Sequence, residues 1–166
     1  MKLSDIPQEL KDVFTEFRTC EMTTISRKGT PSTWPIAPLR EPGIGRFVIT
    51  TSIGLAQKAF NVRRNPKISL LYSDPTGSGL DDPPAVLIQG DAEAPDEIHT
   101  RFGEYIEQFK TLMKRQPAGS LFSGNPVTRY LFDWYYMRLY IFMTPRRILW
   151  WDHGDFIKTP HEVIIE

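Results

Sequence analysis

The sequence predicts a mainly β protein, built as a small barrel with added helices. Six or seven short segments rich in β-branched and apolar residues are separated by turns that contain glycine or proline. One predicted helix lies between the third and fourth of these strands, whereas a parallel α/β fold places a helix after most strands. The 166 residues contain no repeat or linker, which predicts a single domain over residues 1–166.

The first predicted element is a short helix, because apolar side chains recur there at the period of a helix. The residues at positions i, i+3, i+4 and i+7 are Leu10, Val13, Phe14 and Phe17. Pro7 precedes them and suits the first turn of a helix.

Three strands are predicted next, at Met22–Arg27, Thr33–Leu39 and Phe47–Thr51. Gly29 provides the turn between the first two, because glycine tolerates a positive φ. Pro35 and Pro38 lack the N–H group that a ladder needs, so the second strand is expected at an edge of the sheet.

The middle of the chain combines one helix with two strands. The helix is predicted at Ile53–Arg64, where Ser52 can cap the start and Asn65, before a proline, ends it. The strands are predicted at Ile68–Tyr72 and Val86–Ala92. Gly90 interrupts the second strand and predicts a β-bulge.

The C-terminal part is predicted to contain a further helix and the closing strands. The helix is expected at about Asp96–Arg115, where apolar residues have near-helical spacing. The closing strands are expected at Tyr136–Met143 and Arg147–Trp151, joined at Thr144-Pro145, with a last extended segment at Val163–Ile165.

The composition excludes several classes of function. The 20 Lys and Arg residues balance 20 Asp and Glu residues, so the chain lacks the basic excess with which proteins bind nucleic acid or an anionic membrane. No segment has the roughly 18 apolar residues of a membrane span, and no signal peptide is read at the start. The single cysteine, Cys20, suits a reducing compartment. These features predict a cytoplasmic protein without nucleic-acid or membrane partners.

The sequence contains no motif for a nucleophilic triad, a metal site or a phosphate-binding P-loop. His99, His153 and His161 are far apart and are expected at the surface, so no metal site is predicted. Cys20 is expected to be a small buried residue rather than a nucleophile. No side chain qualifies as catalytic, so an enzyme with this sequence would rely on a cofactor.

The strongest local signal is an excess of positive charge in residues 42–73. This stretch has five basic side chains and no Asp or Glu. Thr50, Thr51 and Ser52 directly precede the predicted helix, whose N-terminal N–H groups favour an anion. Lys58, one to two turns into that helix, could reach back to the same anion. The pattern indicates a phosphate site, although a capped amphipathic helix with a solvated basic face would show the same residues.

Four segments resemble the FMN-binding split barrels related to pyridoxamine 5'-phosphate oxidase. They are TTISRKGTPSTWPIAPL, GRFVITTSIGLAQKAFNVRRNPKISLLYSDP, AVLIQGDAEA and PRRILWWDHGD. The resemblance covers roughly residues 8–95 and 136–156 and marks residues 96–135 as a variable, helical insertion. It implies a six-stranded antiparallel split β-barrel that forms a homodimer, with FMN bound at the dimer interface.

The same resemblance implies a set of cofactor-binding residues. They are Trp34, Pro35 and Ile36 along the flavin ring, Thr50, Thr51 and Ser52 at the ring and phosphate, Gln57 and Lys58 at the phosphate, and Trp151 reaching over from the partner subunit. The chain departs from the true oxidases at Trp34 and Gln57, where those enzymes have arginine, and it lacks their Arg-x-His pair after Trp151.

These departures argue against pyridoxamine phosphate oxidation. The resemblance instead predicts an FMN-dependent oxidoreductase of the pyridoxamine 5'-phosphate oxidase-like superfamily, acting on an unidentified small molecule. One alternative is a deazaflavin-dependent reductase on the same fold. Another is a non-enzymatic carrier or sensor that binds flavin or haem, with His99, His153 and His161 as the only imidazoles.

Overall fold

The computed structural model describes residues 2–41, 45–100 and 136–165, which form two α-helices and eight β-strands. In chain order these are α1 Gln8–Glu16, β1 Cys20–Ile25, β2 Pro31–Ile36, β3 Leu39–Glu41, β4 Arg46–Ser52, α2 Gln57–Arg64, β5 Lys67–Tyr72, β6 Ala85–Glu93, β7 Arg138–Trp151 and β8 His161–Ile164. Two short 3-10 turns follow β4 and β7, at Ile53–Leu55 and Asp152–Gly154. Neither described α-helix has the length and apolar character needed to cross a membrane.

All eight strands belong to one antiparallel sheet, in the order β2-β1-β5-β6-β7-β4-β3, with β8 also paired to β7. The first half of β7 pairs with β4 and the second half with β8, while β6 runs along the other side. The sheet is curled, since Trp34 of β2 at one edge lies close to α2, which follows β4 near the other edge. The mainly β class with added helices is confirmed. The described residues form two strands more than the expected six, because short strands such as β3 and β8 extend the sheet.

The concave face of the sheet holds the main core, and α1 packs against it. The buried side chains of α1 are Leu10, Val13 and Phe14. The ring of Phe14 meets that of Phe47 edge-on at 5.2 Å and lies 5.3 Å from that of Tyr72. Cys20 belongs to the same core, and its burial raises the pKa of the thiol far above the ordinary range. The predicted first helix and the burial of Cys20 are both confirmed.

β1 and β2 form the predicted hairpin. Gly29 has a φ of +79°, and the Ser26 N–H donates to the Thr30 carbonyl at 2.8 Å. Within the described residues β2 pairs with β1 alone, and it carries Pro31 and Pro35. Its position at the edge agrees with the expectation drawn from its prolines, which cannot donate to a neighbouring strand.

The predicted break at Thr144-Pro145 is wrong, because β7 is one continuous strand of 14 residues. Pro145 lies opposite Gly90, where the register between β6 and β7 shifts. An irregularity was predicted at Gly90, but the extra residue is Arg146 of β7 and not a residue of β6. The shift accepts a residue without an N–H group because the ladder is already interrupted there. A Cβ atom on Gly90 would overlap the carbonyl oxygen of Thr144, so the two strands approach each other too closely for any side chain.

The helix predicted at Ile53–Arg64 is interrupted. A 3-10 turn comes first and α2 begins only at Gln57. The Ser52 Oγ accepts from the Gly54 N–H at 3.3 Å and therefore caps the 3-10 turn rather than α2. Asn65 ends α2 as predicted, since its backbone is already extended before the proline.

The helix predicted from about Asp96 does not begin by residue 100. The backbone of His99 instead pairs with that of Arg138 through two N–H···O bonds of 2.8 Å. At this point the chain forms a strand-like bridge to β7, and not the helix that the spacing of the apolar residues predicts. The remainder of that predicted helix lies outside the described residues.

Candidate functional site

Polar side chains are buried on both faces of the sheet where β4 ends and α2 begins. Thr51, Ser52 and Lys58 come from this connection, and Arg138 is the first residue of the neighbouring strand β7. The sheet register places Ser52 directly opposite Arg138. All four residues are at most 9 % exposed, so their positions are set by the fold and not by solvent.

The Lys58 ammonium points back to the end of β4. Its Nζ donates to Thr51 Oγ1 at 3.0 Å and lies 3.5 Å from the Leu55 carbonyl oxygen. The Thr51 hydroxyl donates to that same carbonyl at 2.9 Å, so it orients the lysine and has no proton left for a ligand. Lys58 lies in the first turn of α2, not one to two turns into it, because the 3-10 turn delays the start of the helix.

The charge of Lys58 has no carboxylate partner among residues 2–41, 45–100 and 136–165. Burial lowers the pKa of its ammonium, and the nearby positive charge of Arg138 lowers that pKa further. A buried cation without a counter-charge costs folding free energy, and that cost is recovered when an anion binds. An anion beside this ammonium would offset the cost of burying its charge.

Arg138 lies near this connection, on the other face of β4, and was absent from the sequence-based set. Its Nη2 donates to Thr50 Oγ1 at 2.9 Å and lies 3.5 Å from the Thr50 carbonyl oxygen. Sequence reasoning missed it because its neighbours lie some 80 residues away in the chain, and the pairing of β4 with β7 was not predicted. The one available signal was a basic residue within a predicted strand, which is too common to identify a site.

The ring of Trp34 borders this cluster. Its centroid lies 5.8 Å from the Lys58 Nζ, near the outer limit of a cation–π contact. Its neighbours point elsewhere: Pro35 is exposed at the sheet edge and Ile36 is buried in the core. Of the three residues expected along a flavin ring, Trp34 is the one whose side chain reaches Lys58.

The Gln57 side chain is directed along α2. Its Nε2 donates to Asn61 Oδ1 at 2.9 Å, and Arg64 donates to the same oxygen at 2.6 Å. Asn61 is fully buried and donates to Thr24 Oγ1 of β1 at 3.0 Å. This network anchors α2 to β1 and thereby holds Lys58, the next residue of the helix, in place.

Trp151 lies at the opposite end of β7 from Arg138. A strand of this length spans roughly 40 Å if extended. Trp151 pairs with Ala85 of β6, and its ring lies 5.1 Å from that of Phe156. Within one chain Trp151 is therefore separate from the buried cluster. The predicted site residues that the fold brings into contact are Trp34, Thr51 and Lys58. Thr50 and Ser52 lie on the other face of β4.

This arrangement fits the phosphate group of a cofactor. It offers a buried ammonium held by the hydroxyl of Thr51. The guanidinium of Arg138 is held by Thr50 on the opposite face of β4. The Trp34 ring beside the ammonium presents an aromatic surface against which a flat heterocycle could pack.

Several solved structures share this fold. A protein related to general stress protein 26 from Clostridium acetobutylicum is 13 % identical, with a TM-score of 0.60 over 95 % of this chain and 93 % of that one. The conserved hypothetical protein Rv2991 from Mycobacterium tuberculosis is 23 % identical, with a TM-score of 0.58 over 97 % and 92 %. The haem storage protein HutZ from Vibrio cholerae is 17 % identical, with a TM-score of 0.53 over 88 % and 92 %. At these identities the likeness shows the fold alone.

No curated protein matches the sequence. The family model of pyridoxamine 5'-phosphate oxidase, however, matches residues 6–131, which is most of the chain. This match agrees with the curled antiparallel sheet, with its added helices, and with the solved structures that share it. The chain therefore belongs to the pyridoxamine 5'-phosphate oxidase family.

Proposed function

We propose that the protein is an FMN-dependent oxidoreductase that acts on a small molecule as a homodimer. The observation that carries this proposal is Lys58, a buried cation with no carboxylate among the described residues, next to the ring of Trp34. A phosphate beside the lysine and a flat ring beside the tryptophan would match these two groups. FMN has both parts.

The chain's own residues would bind and orient the cofactor. Lys58 neutralises one phosphate charge. Thr51 keeps the lysine side chain in position through its 3.0 Å contact. The flavin, when bound, supplies the electron transfer that no side chain of the site can perform.

FMN is favoured over the deazaflavin coenzyme by the contacts of the neighbouring basic residues. The acidic tail of that coenzyme would need cations along a groove. Arg63 is bonded to the Ala94 and Pro95 carbonyls, both at 2.7 Å. Lys67 pairs with Asp91 at 2.6 Å. These cations are already engaged by the protein, so a short phosphate ligand suits the site better than a long polyanion.

The direct test of the function is the absorbance spectrum of the purified protein, with mass spectrometry of what it releases on denaturation. We expect a flavin spectrum and the mass of FMN, and a bleached spectrum when a reductant is added. If the protein releases a deazaflavin instead, its cofactor is that coenzyme and not FMN. A protein that is colourless as purified and does not bind added FMN would contradict the proposal.

A haem-binding role is the second candidate, and His99 is the observation that favours it. Its half-buried imidazole lies 4.6 Å from the ring of Tyr140, which forms an apolar cluster with Val48. His99 Nε2 lies 3.9 Å from Glu97 Oε2, and the other two histidines each contact an aspartate more closely. The structurally similar HutZ is described as a haem storage protein. A Soret band that is lost in His99→Ala would support this candidate, and its absence after haem titration would exclude it.

A two-fold dimer would complete the proposed site. In one chain the outer edge of β2 is unpaired within the described residues, and Trp151 is far from Lys58. In a dimer, the partner's Trp151 could cover the cofactor. We expect sedimentation equilibrium at micromolar concentration to give twice the chain mass of 19.2 kDa, because a zero net charge does not oppose self-association and two-fold dimers are common. A stable monomer would contradict this prediction.

Trp150 and Trp151 are expected to have different roles, because consecutive strand residues point to opposite faces. Trp150 packs against the core and stacks on His161 at 5.0 Å, whereas Trp151 contacts Phe156. Trp151→Ala should weaken FMN binding with little change in stability. Trp150→Ala should cost about 2 kcal/mol of stability, less than the roughly 3–5 kcal/mol of a fully buried ring, because Trp150 is half-buried. FMN titration and urea unfolding of both variants test these two roles. If only Trp150→Ala loses FMN binding, the assignment of the two faces is reversed.

A further inference from the structure

We propose that a groove on the outer face of the sheet, the face opposite the main core, binds a small polyhydroxylated anion such as a sugar acid or a sugar phosphate. The groove has a volume of about 380 Å³ and lies across β1, β5, β6 and the bulge of β7. This volume is within the range of small-molecule sites. The polar side chains that line the groove are Thr23, Lys67, Ser69, Gln89, Asp91 and Arg146.

The bulge turns Arg146 towards the groove. The register between β6 and β7 shifts by one residue there, and Arg146 is the extra residue of β7. In a regular strand Arg146 and Arg147 would point to opposite faces. Arg146 Nε instead donates to Asp91 at 3.3 Å. Arg147 Nη1 donates at 3.2 Å to Gln89, which is on the same face of β6 as Asp91. Bulges are often found next to functional sites, where they re-aim a side chain in this way.

The charged side chains that line the groove leave one positive charge uncompensated. Two cations, Lys67 and Arg146, share a single carboxylate, Asp91, at 2.6 Å and 3.3 Å. The hydrogen bond from Lys67 lowers the pKa of Asp91, so this carboxylate is charged at neutral pH. Arg147 at the rim adds no net charge, because it pairs with Glu162 at 2.8 Å. Asp91 therefore holds both cations in place without neutralising them, and a monoanion in the groove would complete the balance of charge.

The groove is also rich in hydrogen-bond donors. An ammonium has three N–H donors and a guanidinium has five, and Lys67 and Arg146 each use one of them on Asp91. Within the part of the chain that the structure describes, the Ser69 hydroxyl and the Nε2 of Gln89 have no hydrogen-bond partner. These donors call for a ligand with several acceptor oxygens. The hydroxyl groups of a sugar supply such oxygens next to the anionic group.

The groove is separate from the site at Lys58. Gln89 and Asp91 alternate with the buried Ile88 of β6 and therefore face away from the core. Lys58 instead contacts Thr51, which shares its face of β4 with the core residue Ile49. A ligand in the groove would thus lie on the other side of the sheet from a cofactor at Lys58. The inference does not depend on the proposed function, and the two ligands should bind together.

Isothermal titration calorimetry tests the site with gluconate, glucose 6-phosphate and sorbitol at one ionic strength. Sorbitol has the hydroxyl chain of gluconate but no carboxylate. The proteins are the wild type, Lys67→Gln, Arg146→Gln and the control Lys158→Gln, in which Lys158 is similarly exposed and also pairs with an aspartate. We expect the wild type to bind at least one of the two anions and not sorbitol. Each groove variant should weaken that binding by about 3- to 10-fold, a modest factor because water screens exposed charges, and the control should bind as the wild type does.

The two anions distinguish the sources of the charge, since binding of gluconate alone indicates a carboxylate and binding of glucose 6-phosphate alone indicates a phosphate. Sorbitol binding as tightly as the anions, or equal affinities in the control and both groove variants, would overturn the inference. So would the absence of both heat and a rise in melting temperature with either anion at millimolar concentration. If one groove variant does not fold, the other decides.

A titration in the presence of saturating FMN separates this inference from the proposed function. Unchanged anion binding would support a groove distinct from the cofactor site, whereas loss of anion binding would place the anion at the cofactor site and overturn the inference. A protein that binds no FMN but binds the anion, with the loss expected in Lys67→Gln and Arg146→Gln, would overturn the proposed function alone.

Discussion

Replacing Gly90 by alanine should destabilise the protein by about 3 kcal/mol, at the upper end of what overpacking usually costs. The added Cβ would overlap the backbone carbonyl oxygen of Thr144, and a backbone atom cannot rotate away as a side chain can. The strands β6 and β7 would have to separate at the bulge that accommodates Pro145. In a chain of this size we expect the melting temperature to fall by about 6–12 °C.

Urea unfolding measures this effect, with Gln89→Val as the matched control. Gln89 precedes Gly90 on β6 and is half-buried. Its side chain lies on the face opposite to the one that a side chain at position 90 would occupy. Valine suits a strand, so the control should change stability by less than about 1 kcal/mol. If Gly90→Ala unfolds at the same urea concentration as the control, the close approach of β6 and β7 is not a constraint on the fold.

Replacing Lys58 by methionine should have two opposite effects, a more stable protein and a weaker binder of FMN. Methionine keeps the apolar length of the side chain and removes the buried charge. We expect a stability gain of about 0.5–2 kcal/mol, typical of repairing a functional site. FMN affinity should fall by about 10- to 150-fold, or roughly 1.5–3 kcal/mol, because a charge-assisted hydrogen bond to phosphate is lost.

The control is Arg64→Met, the same kind of change at an exposed position of α2. Arg64 is at the C-terminal end of the helix and bonds Asn61, so FMN affinity should change little. Equal losses of affinity in Lys58→Met and Arg64→Met would indicate a general charge effect. An unchanged affinity in Lys58→Met would remove α2 from the proposed site.

The pH dependence of stability checks the physical cause of the gain. The folded pKa of Lys58 lies below its ordinary value of 10.5, so between the two values the unfolded chain binds more protons than the folded one. Wild-type stability from this group therefore rises with pH across that window, and the full cost of the charge is present below it. Lys58→Met should lack this rise, so the stability difference between the two proteins should shrink as the pH approaches 10.5.

Local signals predicted much of the fold. The stripe that contains Leu10 and Val13, the turn at Gly29 and the stop at Asn65 each depend on neighbouring residues, and each was found as expected. The continuity of β7 could not be predicted, because Pro145 alone indicates a break. Only its pairing with Gly90, more than 50 residues away, makes the proline acceptable.

The candidate site likewise contains contacts that the sequence predicts and contacts that it does not predict. Thr51 and Lys58 are seven residues apart, and their proximity follows from a strand that leads into a helix. Arg138 reaches Thr50 through the register of β4 against β7, which depends on the pairing of the whole sheet. The contact of Trp34 with Lys58 depends on the curl of that sheet. Sequence patterns predict contacts between residues that are close in the chain. They contain little information on contacts that depend on the pairing or curl of the sheet.

The central place of β7 has a consequence for how the chain folds during synthesis. The strand that joins β4 to β6 is made after both of them, and at typical ribosomal rates the delay from Glu93 to Trp151 is roughly 3–12 seconds. Throughout that time β4 and β6 each have one edge open, and the segment AVLI of β6 is apolar and rich in strand formers. We therefore expect nascent chains that end before Arg138 to aggregate or to require a chaperone, and completion of β7 to be the step that commits the chain to its native sheet.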